Sequence, residues 1–258
     1  MGILQTAERT SHLDPSENVI YQRHVIAYKE SAALIHGTVL EIGSGEGYGM
    51  IELAPKAEHY IAIDKYETLI PKELKEKSKI TFIKSEVPPL EGVKDESIDF
   101  VVSFQVIEHI KNDKLFLQEI YRVLKPGGKA ILTTPNILMS LSRSPWHIRE
   151  YNPEEMKETL KSSFKNIELK GIFGNEKVME YYRKNKESVE RITRFDIFRM
   201  QYWMPRWLLE IPYDILNRFN RHYLQDNNEE IVNSIVYSDY MLSASADDCL
   251  DHFCIVTK

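Results

Sequence analysis

The chain has 258 residues, of which 43% are hydrophobic and 28% charged, with a formal net charge of -6. This composition is that of a globular protein, and it excludes a disordered chain, a collagen-like chain and a disulfide scaffold. The acidic balance argues against a general nucleic-acid binder, because affinity for phosphate backbones comes mainly from clustered Lys and Arg. The two cysteines, Cys249 and Cys254, show no metal or redox spacing. Together with the lack of a secretory or membrane-spanning pattern, this predicts a cytoplasmic protein.

Along the chain, segments whose apolar residues recur at the helical period alternate with short apolar runs that are typical of strands. Asp14-Pro15-Ser16 is a good helix start. Helices are predicted over 16–36, 46–54, 67–77, 112–124 and 153–162. Strands are predicted over 38–42, 60–64, 80–84, 98–104, 129–133, 165–173 and 251–257. This order favours an α/β fold with a doubly wound, mostly parallel, Rossmann-like sheet of seven strands.

The last two predicted strands are separated by about 75 residues, far more than the usual connection. We therefore expect an N-terminal helical segment over 1–37 and a Rossmann-like domain over 38–174 and 251–258. Residues 175–250 are predicted to form a helical cap that contributes to substrate binding.

A glycine cluster follows the first predicted strand and opens the next helix: Gly43, Gly45, Gly47 and Gly49. Asp64 ends the second strand, where such folds place an acid that binds ribose hydroxyls. The glycine cluster and Asp64 together predict a nucleoside-binding site. A dinucleotide fingerprint requires glycine at position 48, but Tyr48 stands there, so a pyrophosphate is disfavoured.

The segment Val39-Leu-Glu-Ile-Gly-Ser-Gly-Glu-Gly47 resembles the first motif of the class I S-adenosylmethionine-dependent methyltransferases. The resemblance continues through Asp64, Ser85-Glu86-Val87, the strand 97–104 and Tyr121-Arg-Val-Leu-Lys-Pro-Gly-Gly-Lys129. It implies S-adenosylmethionine as the cofactor. The residues that it places around that cofactor are Glu41 near the amino group, Gly43, Ser44, Gly45 and Gly47 around the methionine part, Asp64 and Lys65 at the ribose, Glu86 and Val87 at the adenine, and Gln105 at the sulfonium.

Tyr21, His24 and Tyr28 share one face of the first predicted helix, because they are spaced by three and four residues. They could cover the cofactor or form a packed aromatic face, and the sequence leaves both interpretations open.

A second cluster follows the fourth strand, Gln105-Val-Ile-Glu108-His109, with His147 after the fifth. It resembles the Glu-x-x-Glu-His plus distant His pattern of the Hen-type small-RNA and ubiquinone-pathway O-methyltransferases. That resemblance implies that Gln105, Glu108, His109 and His147 bind Mg²⁺ or another divalent cation. Gln105 departs from the pattern, since it is a poorer ligand for a hard cation than a carboxylate, and Glu150 could compensate. Two alternatives stay open: His109 as a metal-free general base, and purely structural histidines.

The predicted cap carries arginines among aromatic residues. The arginines are Arg191, Arg194, Arg199, Arg206, Arg218 and Arg221, and the aromatic residues are Phe195, Phe198, Tyr202, Trp203, Trp207, Tyr213, Phe219 and Tyr223. This mixture suits a sugar, a phosphate-bearing small molecule or an aromatic acceptor. The favoured interpretation is an aromatic stripe packed on the main domain. Membrane-surface docking over 203–209 is the weaker one, because Pro205 and Pro212 should break a long amphipathic helix.

The sequence thus predicts a methyltransferase, with Glu108, His109 and His147 acting at a hydroxyl of a small metabolite or glycan. The alternatives are a small-RNA 2′-O-methyltransferase, a nicotinamide-binding oxidoreductase, and a binding protein without turnover. Nucleic acid is disfavoured as a partner by the acidic charge.

Overall fold

The fold is organised by one sheet, seen in a computed structural model that describes residues 10–258 apart from 12, 69, 76–78 and 195–202. The strands of this sheet are β1 Thr38–Ile42, β2 His59–Asp64, β3 Ile80–Lys84, β4 Ile98–Phe104, β5 Leu124–Pro135, β6 Asn166–Gly174, β7 Tyr240–Ala244 and β8 Asp251–Thr257. Their order is β3-β2-β1-β4-β5-β8-β6-β7. Strands β1 to β5 are parallel, whereas β8 runs antiparallel to both of its neighbours.

The predicted Rossmann-like topology is confirmed, but the count of seven strands is wrong. The eighth strand, β7, pairs antiparallel with β6 at the sheet edge and lies inside the segment that was expected to be helical. Chain order reverses between β1 and β4, and the carboxyl ends of these strands open a crevice of the kind in which doubly wound sheets bind ligands.

The helices cover both faces of the sheet. They are α1 Asn18–Ala32, α2 Met50–Leu53, α3 Lys72–Lys75, α4 Asp113–Val123, α5 Pro153–Lys161, α6 Glu176–Thr193, α7 Arg206–Asn227 and α8 Glu229–Ser234. Adjacent strand residues point to opposite faces: Val39 packs with α1 and α2, and Leu40 packs with α4 and α5. The central strands are therefore buried on both faces, which explains their continuous apolar sequence.

Two predicted helices are shorter than expected. The helix predicted over 46–54 begins at Met50, because the glycine turn extends through Gly49. Of the helix predicted over 67–77, the described residues form only α3, and residues 69, 76 and 77 lie outside the described part of the chain.

Helix α7 contradicts the expectation that Pro212 ends a helix. It runs for 22 residues through Pro212, while Pro205 is its N-cap. A proline inside a helix costs about 3 kcal/mol, since one backbone hydrogen bond is lost. Contacts on the inner face, including the buried Asn220 and Leu224, offset that cost. Among the helices that the structure describes, none is long and apolar enough to span a bilayer.

Candidate active site

The glycine turn after β1 forms the base of the crevice. The backbone N–H of Gly43 donates to the carbonyl of Ile63 on β2 at 2.8 Å. Gly43 has φ +80°, and a Cβ at this position would lie 2.4 Å from Cγ2 of Val106. Only glycine fits such a position without strain, so the turn can bring its backbone close to a ligand.

Asp64 is fixed by the same turn. Its Oδ2 accepts from the backbone N–H of Gly45 at 2.8 Å, and its Oδ1 accepts from that of Tyr66 at 2.8 Å. Each carboxylate oxygen has a second lone pair, so Asp64 can still accept from the hydroxyls of a ribose.

A cavity of about 440 Å³ lies above the glycine turn. Most of the predicted cofactor residues line it, namely Gly43, Ser44, Gly45, Asp64, Lys65, Glu86, Val87 and Gln105. Apolar walls are contributed by Phe104, Val106 and Ile110. The cavity thus combines a polar end at Asp64 with an apolar slot, a combination that would suit an adenosine.

Two predicted cofactor residues, Glu41 and Gly47, are not among the residues that line this cavity. Gly47 closes the turn, its N–H donating to the carbonyl of Ser44 at 2.9 Å. Glu41 is buried, and its two carboxylate oxygens accept from the hydroxyls of Tyr28 at 2.9 Å and Tyr60 at 2.6 Å. Burial raises the pKa of Glu41 to about 7, although the two phenol hydrogen bonds act in the opposite direction. Contact of Glu41 or Gly47 with a cofactor stays a prediction.

Helix α1 packs its aromatic face on Tyr48. The ring centroids of Tyr21 and Tyr28 lie 5.1 Å and 5.7 Å from that of Tyr48, and Nδ1 of His24 lies 3.1 Å from the Tyr48 hydroxyl. His24 and Tyr28 also line the cofactor cavity. The two interpretations of this face are therefore compatible, since the residues pack together and also bound the cavity.

Glu108, His109 and His147 form a cluster at the cavity edge. One ligand atom from each residue lies within 4.8 Å of the others. The two imidazole centroids are 5.0 Å apart. Burial raises the pKa of Glu108 to about 7, and His147 and the Thr134 hydroxyl partly oppose this shift. The fold thus brings together three residues that lie up to 39 positions apart in the sequence, as the sequence pattern predicted.

Each member of this cluster is oriented by another group. The hydroxyl of Thr134 donates to Glu108 Oε2 at 2.9 Å. Nδ1 of His109 donates to the carbonyl of Trp146 at 3.1 Å, and Nδ1 of His147 donates to Oε1 of Glu150 at 2.5 Å. Because those acceptors fix the proton on Nδ1, each Nε2 carries the lone pair. Such hydrogen bonds are typical of histidines that bind metal, so the donor set fits a divalent cation.

Gln105 lies between the cluster and the cofactor cavity. Its φ of +56° is rare for a residue with a side chain. Its N–H donates to the carbonyl of Thr133 at 2.9 Å, and its side-chain amide donates to the Thr133 hydroxyl at 3.3 Å. Strained residues of this kind cluster at functional sites, where the surrounding fold holds them.

A second cavity, of about 230 Å³, adjoins the first. Both cavities are lined by Thr10, His24, Gln105 and His109. The second is also lined by Glu108, His147 and Glu150, and by residues of α6 and α7. The predicted cap segment therefore forms part of its wall.

Sequence reasoning missed several residues of the second cavity, namely Arg23, Tyr181, Tyr182, Asn185, Asn217 and Asn220. Tyr181, Tyr182 and Asn185 share a helical face of α6, but the same spacing is typical of a core face. Trp146 was also missed. It lines the cofactor cavity, and its indole N–H donates to Asp214 of α7 at 2.9 Å.

Of the predicted arginine and aromatic residues of the cap, Tyr213 and Arg221 line the second cavity. Residues Phe195, Phe198, Arg199 and Tyr202 lie outside the described part of the chain. The predicted packing of the aromatic stripe on the main domain is wrong for Trp203, Trp207, Phe219 and Tyr223, which are exposed.

Comparison with known proteins decides the family. Residues 40–132 match the family model described as "Methyltransferase domain". A protein of Mycolicibacterium smegmatis named "Probable S-adenosylmethionine-dependent methyltransferase" is 35% identical over 175 residues, which cover 65% of this chain and 68% of that protein. The chain belongs to the S-adenosylmethionine-dependent methyltransferases. This membership favours the methyltransferase hypothesis over the nicotinamide-binding alternative.

More distant similarity extends to other methyltransferases. The ubiquinone biosynthesis O-methyltransferase of Rickettsia bellii is 30% identical over 102 residues, covering 38% of this chain and 42% of that one. A SAM-dependent methyltransferase from Archaeoglobus fulgidus shares the fold with a TM-score of 0.51, 18% identity and 95% coverage of both chains. S-adenosylmethionine is the cofactor of this family, and the cofactor cavity of the methyltransferase described here fits it.

Proposed function

We propose that this methyltransferase acts on a hydroxyl oxygen of a small hydroxylated metabolite or glycan, with a divalent cation at Glu108, His109 and His147. One observation supports the proposal most directly. The cofactor cavity and the second cavity share Gln105 and His109, and the Glu108, His109 and His147 cluster lies at this junction. An acceptor in the second cavity would thus meet the cofactor next to these side chains.

The second cavity suits a small polar acceptor. Its volume of about 230 Å³ lies below the roughly 300–1,000 Å³ of most ligand sites, which limits the part of an acceptor that it can hold to a small group. Asn185, Asn217, Asn220 and two arginines offer hydrogen bonds, while Tyr181, Tyr182 and Tyr213 offer aromatic surface. The arginines are paired with acids, Arg23 with Asp251 and Arg221 with Glu17. Because the pairs are close to neutral, the cavity favours a neutral polyhydroxylated acceptor over a strongly anionic one.

The roles of the chain's own residues follow from this placement. S-adenosylmethionine supplies an electrophilic methyl group, and a divalent cation would make the acceptor hydroxyl more acidic. Glu108, His109 and His147 would hold that cation, and Gln105 would be a weaker fourth ligand. The acceptor oxygen must lose its proton. With a cation bound, His109 Nε2 is one of its ligands and the proton would pass to solvent; without a cation, His109 Nε2 would receive the proton as a general base. The oxygen–carbon bond then forms as the sulfur–carbon bond breaks, so the remaining requirement is alignment of the three atoms.

The test is tritiated-methyl transfer to a panel of sugars, catechols and small RNAs, with magnesium or manganese and after chelation. Bound metal is measured in the wild type and in the variants His109→Ala and His147→Ala. His59→Ala, outside the cluster, is the matched control. We expect metal binding to fall at least tenfold in the two cluster variants only, and activity to fall on chelation. Full activity after exhaustive chelation contradicts the metal role, and labelled RNA instead of sugar or catechol contradicts the acceptor class.

A further inference from the structure

Helix α7 presents its apolar residues to solvent and its charged residues to the protein. Between Arg206 and Tyr223, every exposed residue is apolar except His222. We call these residues the apolar face: Trp207, Leu208, Ile211, Pro212, Ile215, Leu216, Phe219 and Tyr223. Trp207 and Ile211 are 68% and 72% exposed, and Ile215 and Phe219 are 63% and 64% exposed. This is the reverse of the pattern of a surface helix in a globular protein.

The five charged residues of the same span are all half-buried, and Arg206, Asp214 and Arg221 contact other parts of the protein. Arg206 donates to the carbonyl of Ile148 at 2.7 Å, and Asp214 accepts from the Trp146 indole. Arg221 pairs with Glu17 at 3.0 Å. These contacts fix the rotation of the helix about its axis. The apolar face is thus held outward by specific polar contacts on the opposite side.

The apolar face is too large for an ordinary surface. Taking 150–250 Å² for a fully exposed large side chain, it exposes roughly 800 Å². The largest apolar patch on a soluble monomer is about 300–600 Å², and larger patches mark interaction sites. A face of this size therefore points to an interaction site.

The shape of the face favours a lipid surface over a second copy of the chain. At about 100° per residue, the residues of the apolar face span about half of the helix circumference. A helix-to-helix contact covers a narrow seam, whereas a bilayer interface surrounds half of a partly immersed helix. A helix has a radius of about 5–6 Å with its side chains, which matches the depth of about 5–10 Å to which interfacial helices insert.

Charge adds a second argument for a lipid surface. The described residues of 191–222 carry Arg191, Arg194, Arg206, Arg218 and Arg221 against Glu210 and Asp214, in a chain whose net charge is -6. Arg221 is paired with Glu17 and Arg206 with the carbonyl of Ile148, so the positive charge available to anionic lipid headgroups is carried mainly by the exposed Arg191 and Arg194 at the end of α6. We propose that α7 is an interfacial helix that docks this protein on the surface of an anionic bilayer. Because Tyr213, Asn217 and Arg221 of α7 line the second cavity, docking would also orient that cavity relative to the lipid.

The test is co-sedimentation of the full chain with vesicles of phosphatidylcholine alone and of equimolar phosphatidylcholine and phosphatidylglycerol. The perturbing variant is I211S/I215S, and the matched control is L34S/L115S, which changes two exposed leucines elsewhere. We expect the wild type and the control to bind, more strongly to the anionic vesicles, and the perturbing variant to bind at least about tenfold more weakly. The single change Ile215→Ser serves if the double variant does not fold.

Light scattering of the same proteins without lipid completes the test, and a monomer is expected. Absence of vesicle binding by the wild type overturns the proposal, and so does equal binding by I211S/I215S. A stable dimer that I211S/I215S dissociates also overturns it and assigns the face to a second copy. None of these measurements uses methyl transfer, so they are independent of the proposed acceptor.

Discussion

Replacement of Glu41 by glutamine tests how the fold holds a buried carboxyl directly before the glycine turn. Glu41 is 2% exposed, and burial raises its pKa from 4.5 to about 7. A raised pKa means that the fold favours the protonated carboxyl. Burial of the protonated Glu41 carboxyl therefore contributes to the free energy of unfolding. This contribution is fully present below about pH 4.5 and is lost as the pH rises through about 7. Glutamine cannot ionise, and like the protonated carboxyl it has one acceptor oxygen for one tyrosine hydroxyl and a donor group, here the NH2, for the hydroxyl oxygen of the other.

The magnitude follows from the two pKa values. For a group that titrates at 4.5 when unfolded and at about 7 when folded, the contribution changes by about 2.5 kcal/mol between about pH 5 and pH 8. The free energy of unfolding of Glu41→Gln minus that of the wild type should therefore rise by about 2.5 kcal/mol over this range.

Urea denaturation of both proteins at the two pH values measures this difference. Other titrating groups are common to both proteins and cancel. Glu58→Gln, a change at an exposed glutamate, is the control, and any pH dependence that it shows is subtracted. A difference for Glu41→Gln that changes by less than about 0.5 kcal/mol between the two pH values refutes the reasoning, because Glu41 would then remain ionised in the fold at low cost.

Two further predictions concern the cavities. Gly43→Ala should weaken S-adenosylmethionine binding at least about tenfold in calorimetry, because its Cβ meets Val106 and φ is +80°; equal affinity in the wild type and the variant would exclude the turn from the cofactor site. Asn217→Ala removes a polar group that lines the second cavity and not the cofactor cavity, so the KM for the acceptor should rise about 3- to 10-fold, with the dissociation constant of S-adenosylmethionine unchanged; an unchanged KM would show that the acceptor does not contact this side chain.

The strands that bury both faces were predictable because their apolar runs are continuous, and Asp64 does end the second strand, whereas its contact with a ribose stays a prediction. Strand β7 was missed because Tyr240–Ala244 is a short edge strand whose burial pattern is uneven. The outward apolar face of α7 was also missed. The sequence shows the helical period but not which face is buried, and polar contacts such as that of Trp146 with Asp214 decide the orientation.

The Glu108, His109 and His147 cluster could be predicted from the sequence because the carboxyl ends of β4 and β5 meet at one edge of the sheet. Its orienting partners could not be predicted. The carbonyl of Trp146 and the hydroxyl of Thr134 are backbone and small-residue groups without a sequence pattern.

The measurement that tests the account most directly is calorimetric titration of the wild type and Asp64→Ala with S-adenosylmethionine. Asp226→Ala, at an exposed acid of α7, is the matched control. We expect binding by the wild type and the control, and at least about tenfold weaker binding by Asp64→Ala, because hydrogen bonds between the carboxylate and the ribose are lost. Equal affinity of Asp64→Ala and the wild type would contradict the placement of the cofactor above the glycine turn.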